Sequence, residues 1–202
     1  MRVAFFGGTF DPPHRGHVAI AQAAADAFEL DRVLFAPAGR QPLKDGHATL
    51  DFGDRLALST MACASDERFA ASALDAPRED GQPNYTVDVL TELRRQMPDA
   101  TIFNLVGADS FNDLGRWREP AELLRLAEWI VVSRPGHVLD EPEGYPLTAG
   151  QRARVHLLDA VHLDISATEL RARLAAGELC DDLLTAPVAG FIRAHGFYRH
   201  EL

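Results

Sequence analysis

Six short apolar runs rich in β-branched and aromatic residues recur along the chain, and amphipathic helical patterns separate most of them. Alternation of this kind is typical of a parallel sheet, because parallel neighbours are joined by crossover connections that are usually helices. The pattern predicts an α/β fold with a doubly wound, mainly parallel sheet and helices on both faces. The predicted strands are residues 3–6, 33–36, 69–74, 101–106, 129–133 and 155–158.

Helical patterns fall at residues 16–28, 52–64, 86–96, 120–126, 167–176 and 187–195. Gly177 and Gly196 stand where helices commonly end. Two stretches rich in Pro, Gly and charge, 76–84 and 135–150, predict surface loops and not linkers. A chain of 202 residues that is 47% hydrophobic can bury one substantial core. We therefore expect residues 1–202 to form a single domain.

Charge and cysteine content narrow the possible environments and partners. A net charge of −10 argues against nucleic-acid binding, which needs clustered Lys and Arg, so any phosphate chemistry requires a locally basic pocket. The first apolar run is too short for a signal peptide, and no later stretch approaches the ~18 apolar residues of a membrane span. Cys63 and Cys180 lie far apart, which predicts buried thiols in a reduced, cytoplasmic protein.

The segment GGTFDPPHRGH, residues 7–17, follows the first predicted strand and runs into the first predicted helix. Open parallel sheets bind ligands beyond the carboxyl ends of their strands, where Gly7 and Gly8 let the backbone approach a phosphate and the helix N-terminus offers free N–H groups. His14 and His17 would project from one face if the helix has begun by His14. Imidazoles can donate hydrogen bonds to a developing phosphoryl charge, so the segment predicts a phosphate site.

Two other interpretations of this segment stay open. The glycines can simply form a tight turn while the histidines bond locally, which is the commoner situation for a lone Gly-Gly or a lone His. A zinc site of Asp11, His14 and His17 is the other, although the chain has no His-Glu-x-x-His pattern. The combination of paired glycines, Pro-Pro and one-face histidines favours the phosphate site.

Residues 7–17 resemble the His-x-Gly-His segment of the nucleotidyltransferase α/β-phosphodiesterase superfamily, whose members transfer a nucleotidyl group from a nucleoside triphosphate. Residues 84–90, NYTVDVL, are similar to the Ser-Tyr-Thr-x-Asp-Thr-Leu segment of bacterial nicotinate-nucleotide adenylyltransferases. Residues 106–109 with Trp117, residues 133–136, Val188 and residues 197–198 also fit that family. The resemblance implies a Rossmann-like fold and an enzyme of NAD biosynthesis. It would convert ATP and nicotinate mononucleotide to nicotinate adenine dinucleotide and pyrophosphate, with Mg²⁺ held mainly by the ATP phosphates.

The resemblance also assigns the acceptor site. Trp117 can stack on a pyridine ring, and a helix start at Tyr85 and Thr86 can offer backbone N–H groups to a carboxylate. On their own, both aromatic residues are better explained by packing than by ligand contacts. The family match implies acceptor contacts by Gly7, Gly8, Lys44, Tyr85, Thr86 and Trp117.

A similar argument applies to the nucleotide site. Asp109 closes a strand-like run, where its carboxylate can bind a ribose hydroxyl or cap a helix. Residues 165–171, ISATELR, resemble the family's Ile-Ser-Ser-Thr-x-Ile-Arg motif. Ser166 or Thr168 can cap the helix here, and Arg171 can grip phosphate or remain solvated. The implied ATP contacts are Gly8, Thr9, Phe10, His14, His17, Gly107, Asp109, Ile165, Ser166, Thr168 and Arg171, and the implied catalytic residues are His14, His17, Lys44 and Arg171.

The chain departs from the family pattern at two places. Ala167 replaces a serine of the C-terminal motif, and Leu43 replaces the histidine of a Pro-Pro-His-Lys element that precedes Lys44. Lys44 and Arg40 can contact phosphate or be solvated, and Arg134 can face the nucleotide. A related adenylyl- or cytidylyltransferase, or a non-catalytic nucleotide-binding module, is the alternative function. The preference for nicotinate over nicotinamide and the oligomeric state stay open.

Overall fold

A computed structural model describes residues 1–39, 50–133, 141–159 and 165–198. Its strands are β1 (Arg2–Gly8), β2 (Arg32–Pro37), β3 (Phe69–Ala71), β4 (Thr101–Gly107), β5 (Glu128–Val132) and β6 (Val155–Leu158). They form a six-stranded sheet in the order β3-β2-β1-β4-β5-β6, and every neighbouring pair is parallel. The predicted doubly wound, parallel sheet is therefore confirmed.

The described helices are α1 (Arg15–Ala27), α2 (Phe52–Cys63), α3 (Thr86–Gln96), α4 (Ala108–Asn112), α5 (Pro120–Leu126), α6 (Ala149–Arg152), α7 (Ala167–Ala175) and α8 (Ala186–His195). The six predicted helices correspond to α1, α2, α3, α5, α7 and α8, with ends that agree to within one residue. Gly177 and Gly196 have φ of +86° and +68°, the left-handed conformation that glycine adopts readily at a helix end. No helix among the described residues is long and apolar enough to cross a bilayer.

Both faces of the sheet are buried, as the continuous apolar strands predict. Val3 and Phe5 of β1 lie in the core under α3 and α5, and the alternate residues Ala4 and Phe6 lie in the core under α1 and α2. A third apolar cluster joins α2 to α7 and α8. This cluster matters for function because it carries the C-terminal part of the described chain to the loop between β1 and α1.

Three local features differ from the prediction. Strand β3 ends at Ala71 and not at residue 74, because the chain turns out of the sheet and the Asp75 carbonyl accepts from the Gly39 N–H at 2.8 Å. Helix α4, followed by a 3₁₀ turn at Asp113–Arg116, was not predicted. Helix α6 begins within the predicted loop 135–150. Helices α4 and α6 are too short to produce a clear periodic pattern.

Candidate active site

The site lies where the direction of chain winding reverses. From β1 the chain winds to β2 and β3 on one side, and from β4 it winds to β5 and β6 on the other, so a crevice forms between the carboxyl ends of β1 and β4. Gly7 and Gly8 end β1 and Gly107 ends β4. A cavity of about 280 Å³ opens at this point.

The loop after β1 is built around a buried ring. Phe10 is 2% exposed, and its ring packs edge-on against Phe6 at 5.4 Å and His17 at 4.9 Å between centroids. Its φ of +49° is unfavourable for a bulky residue, and this packing holds it there. The predicted ATP contact at Phe10 is therefore restricted to its backbone.

The two histidines of the loop lie together, as their spacing predicts. The prediction assumed that the helix has begun by His14. Helix α1 instead begins at Arg15, so His14 is the capping residue and not the first helical one. The rings of His14 and His17 stack with centroids 3.7 Å apart. The His14 N–H donates to His17 Nδ1 at 3.2 Å, so a neutral His17 carries its proton on Nε2.

His14 is neutral at physiological pH. The residue is 7% exposed, and burial lowers its pKa to about 4. Within the described part of the chain, its Nδ1 has no hydrogen-bond partner. An anion placed against the ring would raise this pKa, because a nearby negative charge favours the charged imidazolium.

We expect His14 to weaken the fold as the pH falls from about 6.5 towards about 4. In this window the unfolded chain binds a proton at His14 that the folded protein does not, and the loss reaches on the order of 3 kcal/mol. Urea unfolding at about pH 7 and about pH 5 would measure it, with His14→Gln as a control that cannot titrate. Equal losses in the two proteins would contradict the assignment.

A buried polar network fixes the same loop. Asp11 is 2% exposed, and its carboxylate accepts from the Tyr198 hydroxyl at 2.7 Å. The Asp11 carbonyl accepts from Arg171 Nη1 at 2.9 Å, and the Thr9 carbonyl accepts from Arg55 Nη1 at 2.8 Å. Burial and the neighbouring Asp11 raise the pKa of Tyr198, which keeps its hydroxyl protonated as a donor. The loop is thus held by groups from α2, α7 and the segment after α8.

The predicted nucleotide motif at residues 165–171 is brought beside this loop. Ser166 caps α7 by accepting from the Glu169 N–H at 3.4 Å, which resolves the choice between Ser166 and Thr168. Arg171 Nη2 donates to Thr168 Oγ1 at 3.3 Å, so the guanidinium bridges the motif and the loop. The Ile165 side chain lies against the start of α1, 3.6 Å from the position of a Cβ on Gly16.

Asp109 lies on the other side of the crevice. Gly107 caps α4, and Asp109 is in the first turn of that helix, so the alternative interpretation of Asp109 as the capping residue is wrong. Asp109 is exposed at the carboxyl end of β4, where its carboxylate is accessible to a ligand. Its contact with a ribose hydroxyl stays a prediction. Arg40, Leu43, Lys44 and Arg134 lie outside the described residues.

The cavity contains the predicted acceptor residues. Gly7, Gly8, Tyr85, Thr86 and Trp117 all line it, whereas Lys44 falls outside the described ranges. Tyr85 precedes α3 and its side chain does not cap the helix, so the first backbone N–H groups of α3 are not capped by it. Trp117 is half-buried and backs onto Trp129 at 5.7 Å between centroids. One flat ring and one helix N-terminus therefore share the cavity wall.

Sequence reasoning missed several residues of the cavity and the loop network. Asp75, Asn84, Asn104, Ser110, Asp113 and Arg116 line the cavity, and Arg55 holds the loop. Two of these carried a visible signal, since Arg55 interrupts the apolar face of a predicted helix and Asn104 interrupts an apolar strand.

Burial raises the pKa of Asp75 to about 6, and the Asn84 hydrogen bond and the charge of Arg55 oppose this rise.

The described residues do not form a metal site of their own. Across residues 1–39, 50–133, 141–159 and 165–198, no group of three or more His, Cys, Asp or Glu side chains is placed to hold a metal ion. Asp11 instead accepts from Tyr198, and the histidine rings stack on each other. The structure therefore gives no support to a zinc site of Asp11, His14 and His17.

The parallel fold, with the loop that carries His14 and His17 on one side of the crevice and a cavity on the other, defines an α/β protein that transfers nucleotides. Residues 5–173 match the cytidylyltransferase-like family model. A probable nicotinate-nucleotide adenylyltransferase from Roseiflexus sp. (strain RS-1) is 40% identical over 197 residues, which cover 98% of both chains. One from Solibacter usitatus (strain Ellin6076) is 37% identical over 199 residues, 98% of this chain and 100% of the relative. The chain belongs to the nicotinate-nucleotide adenylyltransferases, nucleotidyltransferases of NAD biosynthesis that form nicotinate adenine dinucleotide from ATP and nicotinate mononucleotide.

A solved structure provides an independent comparison of the fold. The chain is similar to Plasmodium falciparum nicotinic acid mononucleotide adenylyltransferase complexed with NaAD. The TM-score is 0.72 at 16% identity, and the match covers 98% of this chain and 97% of the Plasmodium chain. The Rossmann-like fold implied by the sequence resemblance is confirmed.

Proposed function

We propose that the crevice divides the two substrates of the reaction between its two halves. ATP lies over residues 8–17 and the motif at 165–171, and nicotinate mononucleotide lies in the cavity with its ring on Trp117. The observation that carries this proposal is that Gly7 and Gly8 line the cavity and also end β1. They stand directly before the segment that carries His14 and His17, which we call the histidine loop. A 5′-phosphate at these glycines would meet the α-phosphate of an ATP held by the loop.

In this arrangement the acceptor's 5′-phosphate oxygen attacks the α-phosphorus of ATP in line. A new P–O bond forms as the bond to the bridging α–β oxygen breaks, and pyrophosphate leaves without a covalent enzyme intermediate. The protein must align two anions that repel each other and stabilise the charge on the leaving group. We assign these tasks to His14, His17, Arg171 and Lys44.

The chemistry of each described group suits its assignment. The His17 Nε2–H is a fixed donor, because its Nδ1 already accepts from the His14 N–H. His14 is neutral when buried and becomes charged most easily beside an anion. Arg171 already sits on the loop carbonyl of Asp11, so a planar guanidinium is positioned before substrate arrives. Asp109 is assigned to a ribose hydroxyl of ATP.

Mg²⁺ is proposed to enter as its ATP complex, with ATP phosphates and water as its main ligands. Magnesium is commonly bound in this way, and it would neutralise charge on the departing pyrophosphate. The assignment uses no metal-binding side chain of the described residues. Each role given above to His14, His17 and Arg171 is independent of the ion.

Nicotinate is proposed to be preferred over nicotinamide at the acceptor site. Tyr85 and Thr86 line the cavity at the start of α3, where backbone N–H groups and the positive end of the helix dipole would favour a carboxylate. A carboxamide would present its own N–H donors to some of these groups. The support for this preference is therefore the position of Tyr85 and Thr86 in the cavity wall.

A side-by-side assay of pyrophosphate release tests the proposal. ATP and magnesium would be combined in turn with nicotinate mononucleotide, nicotinamide mononucleotide and phosphopantetheine. The highest kcat/KM is expected with nicotinate mononucleotide. Equal or faster turnover of the carboxamide would overturn the preference, and faster turnover of phosphopantetheine would overturn the acceptor assignment itself.

Two broader properties are proposed on the same basis. Residues 1–202 are proposed to act as one domain, because α2, in the first third of the chain, packs against α7 and α8 in a shared apolar cluster. The protein is proposed to act in the cytoplasm, since Cys63 and Cys180 are free buried thiols, typical of a reducing compartment.

A further inference from the structure

Asn104 is a polar side chain in an otherwise apolar wall of the sheet. It lies in β4, in register with Phe5 of β1 and Trp129 of β5. Its alternate neighbours Ile102 and Val106 both belong to the core under α3 and α5, and strand alternation places Asn104 on that same face. The residue is 1% exposed and lines the acceptor cavity.

The side-chain amide nitrogen of Asn104, Nδ2, is buried, and none of the residues that the structure describes forms a hydrogen bond with it. A buried donor in this condition destabilises a fold by about 1–3 kcal/mol relative to a satisfied one. A leucine of similar size would avoid this penalty, so the amide at this position is better explained by a ligand than by packing.

The depth of Asn104 indicates which part of a ligand reaches it. The proposed phosphate position is at Gly7 and Gly8, at the carboxyl end of β1, and Gly107 marks the same edge on β4. Asn104 lies three residues further into β4 than Gly107, opposite Phe5. A mononucleotide with its phosphate at the strand ends directs its base, and not its phosphate, towards Asn104.

We propose that Asn104 is an acceptor-binding residue that hydrogen-bonds the substituent on the pyridine ring; this inference rests on the acceptor assignment above. Its Nδ2 donates to the carboxylate of nicotinate and reinforces the N–H groups of α3. A half-turn about the Cβ–Cγ bond exchanges donor and acceptor, so the same amide can accept from the carboxamide of nicotinamide. The start of α3 therefore sets the preference for nicotinate, and Asn104 reduces it by binding either substituent.

Asn104→Asp tests this role because aspartate keeps the size of the side chain and removes its donor. We expect kcat/KM to fall about 100-fold for nicotinate mononucleotide, whose carboxylate then faces a like charge. For nicotinamide mononucleotide it should fall less than about 10-fold, because a carboxylate still accepts from a carboxamide. The ratio of the two values is the decisive readout, since general damage to the fold would lower both equally.

Asn104→Leu provides a second variant in case the aspartate protein does not fold. It should lower kcat/KM about 10-fold for both acceptors and leave KM for ATP unchanged, while Tm stays level or rises because an unsatisfied amide is gone. Asn112→Ala is the matched control, because its Oδ1 is also buried without a partner in the described chain but the residue does not line the cavity. That control should keep the wild-type kcat/KM for both acceptors.

The outcomes separate this inference from the acceptor assignment. If wild-type protein turns over another acceptor faster than nicotinate mononucleotide, the assignment itself fails. If wild type uses nicotinate mononucleotide but Asn104→Asp keeps the wild-type ratio, the assignment stands and the role of Asn104 is refuted. An unchanged acceptor KM and kcat in Asn104→Leu would refute it equally.

Discussion

His17→Ala should lower kcat by about 10²–10³ and leave the fold intact, because it removes one preorganised donor to the charge that develops on the phosphates. The His17 ring is fixed on three sides, by the backbone N–H of His14 and by the rings of Phe6 and Phe10. Such a donor needs no rearrangement at the moment of reaction. Steady-state pyrophosphate release at saturating ATP and acceptor measures the effect.

A matched control is available on α8. His195 is exposed, contacts Phe191 and Phe197 and has no assigned role in the site, so His195→Ala should keep wild-type kcat. His17→Asn tests the fold separately, because it retains a polar side chain of smaller size. Unchanged turnover in His17→Ala, with normal thermal unfolding, would refute the assigned catalytic role.

Trp117→Ala should mainly weaken binding of the acceptor, by about 1–3 kcal/mol or roughly 5–150-fold in KM if base-aromatic stacking values apply to a pyridine. One side of the indole already contacts Trp129, which holds the ring in place, and Trp117 lines the cavity. The affinity for ATP should change little, because the ring is not part of the histidine loop. Initial rates with each substrate varied in turn provide both constants.

Trp117→Phe is the control for this prediction. A phenyl ring retains a flat stacking surface, so the variant should recover most of the acceptor affinity that alanine loses. Loss of affinity in both variants to the same extent would indicate damage to the packing against Trp129. An unchanged KM for nicotinate mononucleotide in Trp117→Ala would exclude the stacking role.

The fold could be predicted where elements are long and strongly patterned. The buried strands are short but continuous apolar runs, and the six predicted helices have amphipathic patterns and clear end signals. Helix α4 has five residues and the following 3₁₀ turn has four, which is too few for a period to emerge. The early end of β3 depends on a tertiary contact between Asp75 and Gly39 that no local pattern records.

The site was predictable where its residues are contiguous in sequence. Residues 7–17 combine glycines, a strand end and two spaced histidines within a single segment, so their proximity follows from local geometry. Arg55 contacts Thr9 across 46 positions, and its role depends on how α2 docks. Asn104 was visible as a polar interruption of a strand, but the face it occupies matters only once a cavity forms above it.

The two hydrogen bonds that hold Asp11 have a consequence for how the enzyme becomes active. Arg171 and Tyr198 reach Asp11 across 160 and 187 positions of the chain. Contacts that close such long stretches cost more chain entropy than local contacts, so they form later than local structure. A refolding chain would therefore rebuild its helices before its nucleotide loop is secured. Recovery of catalysis would report the docking of α8, after the recovery of secondary structure.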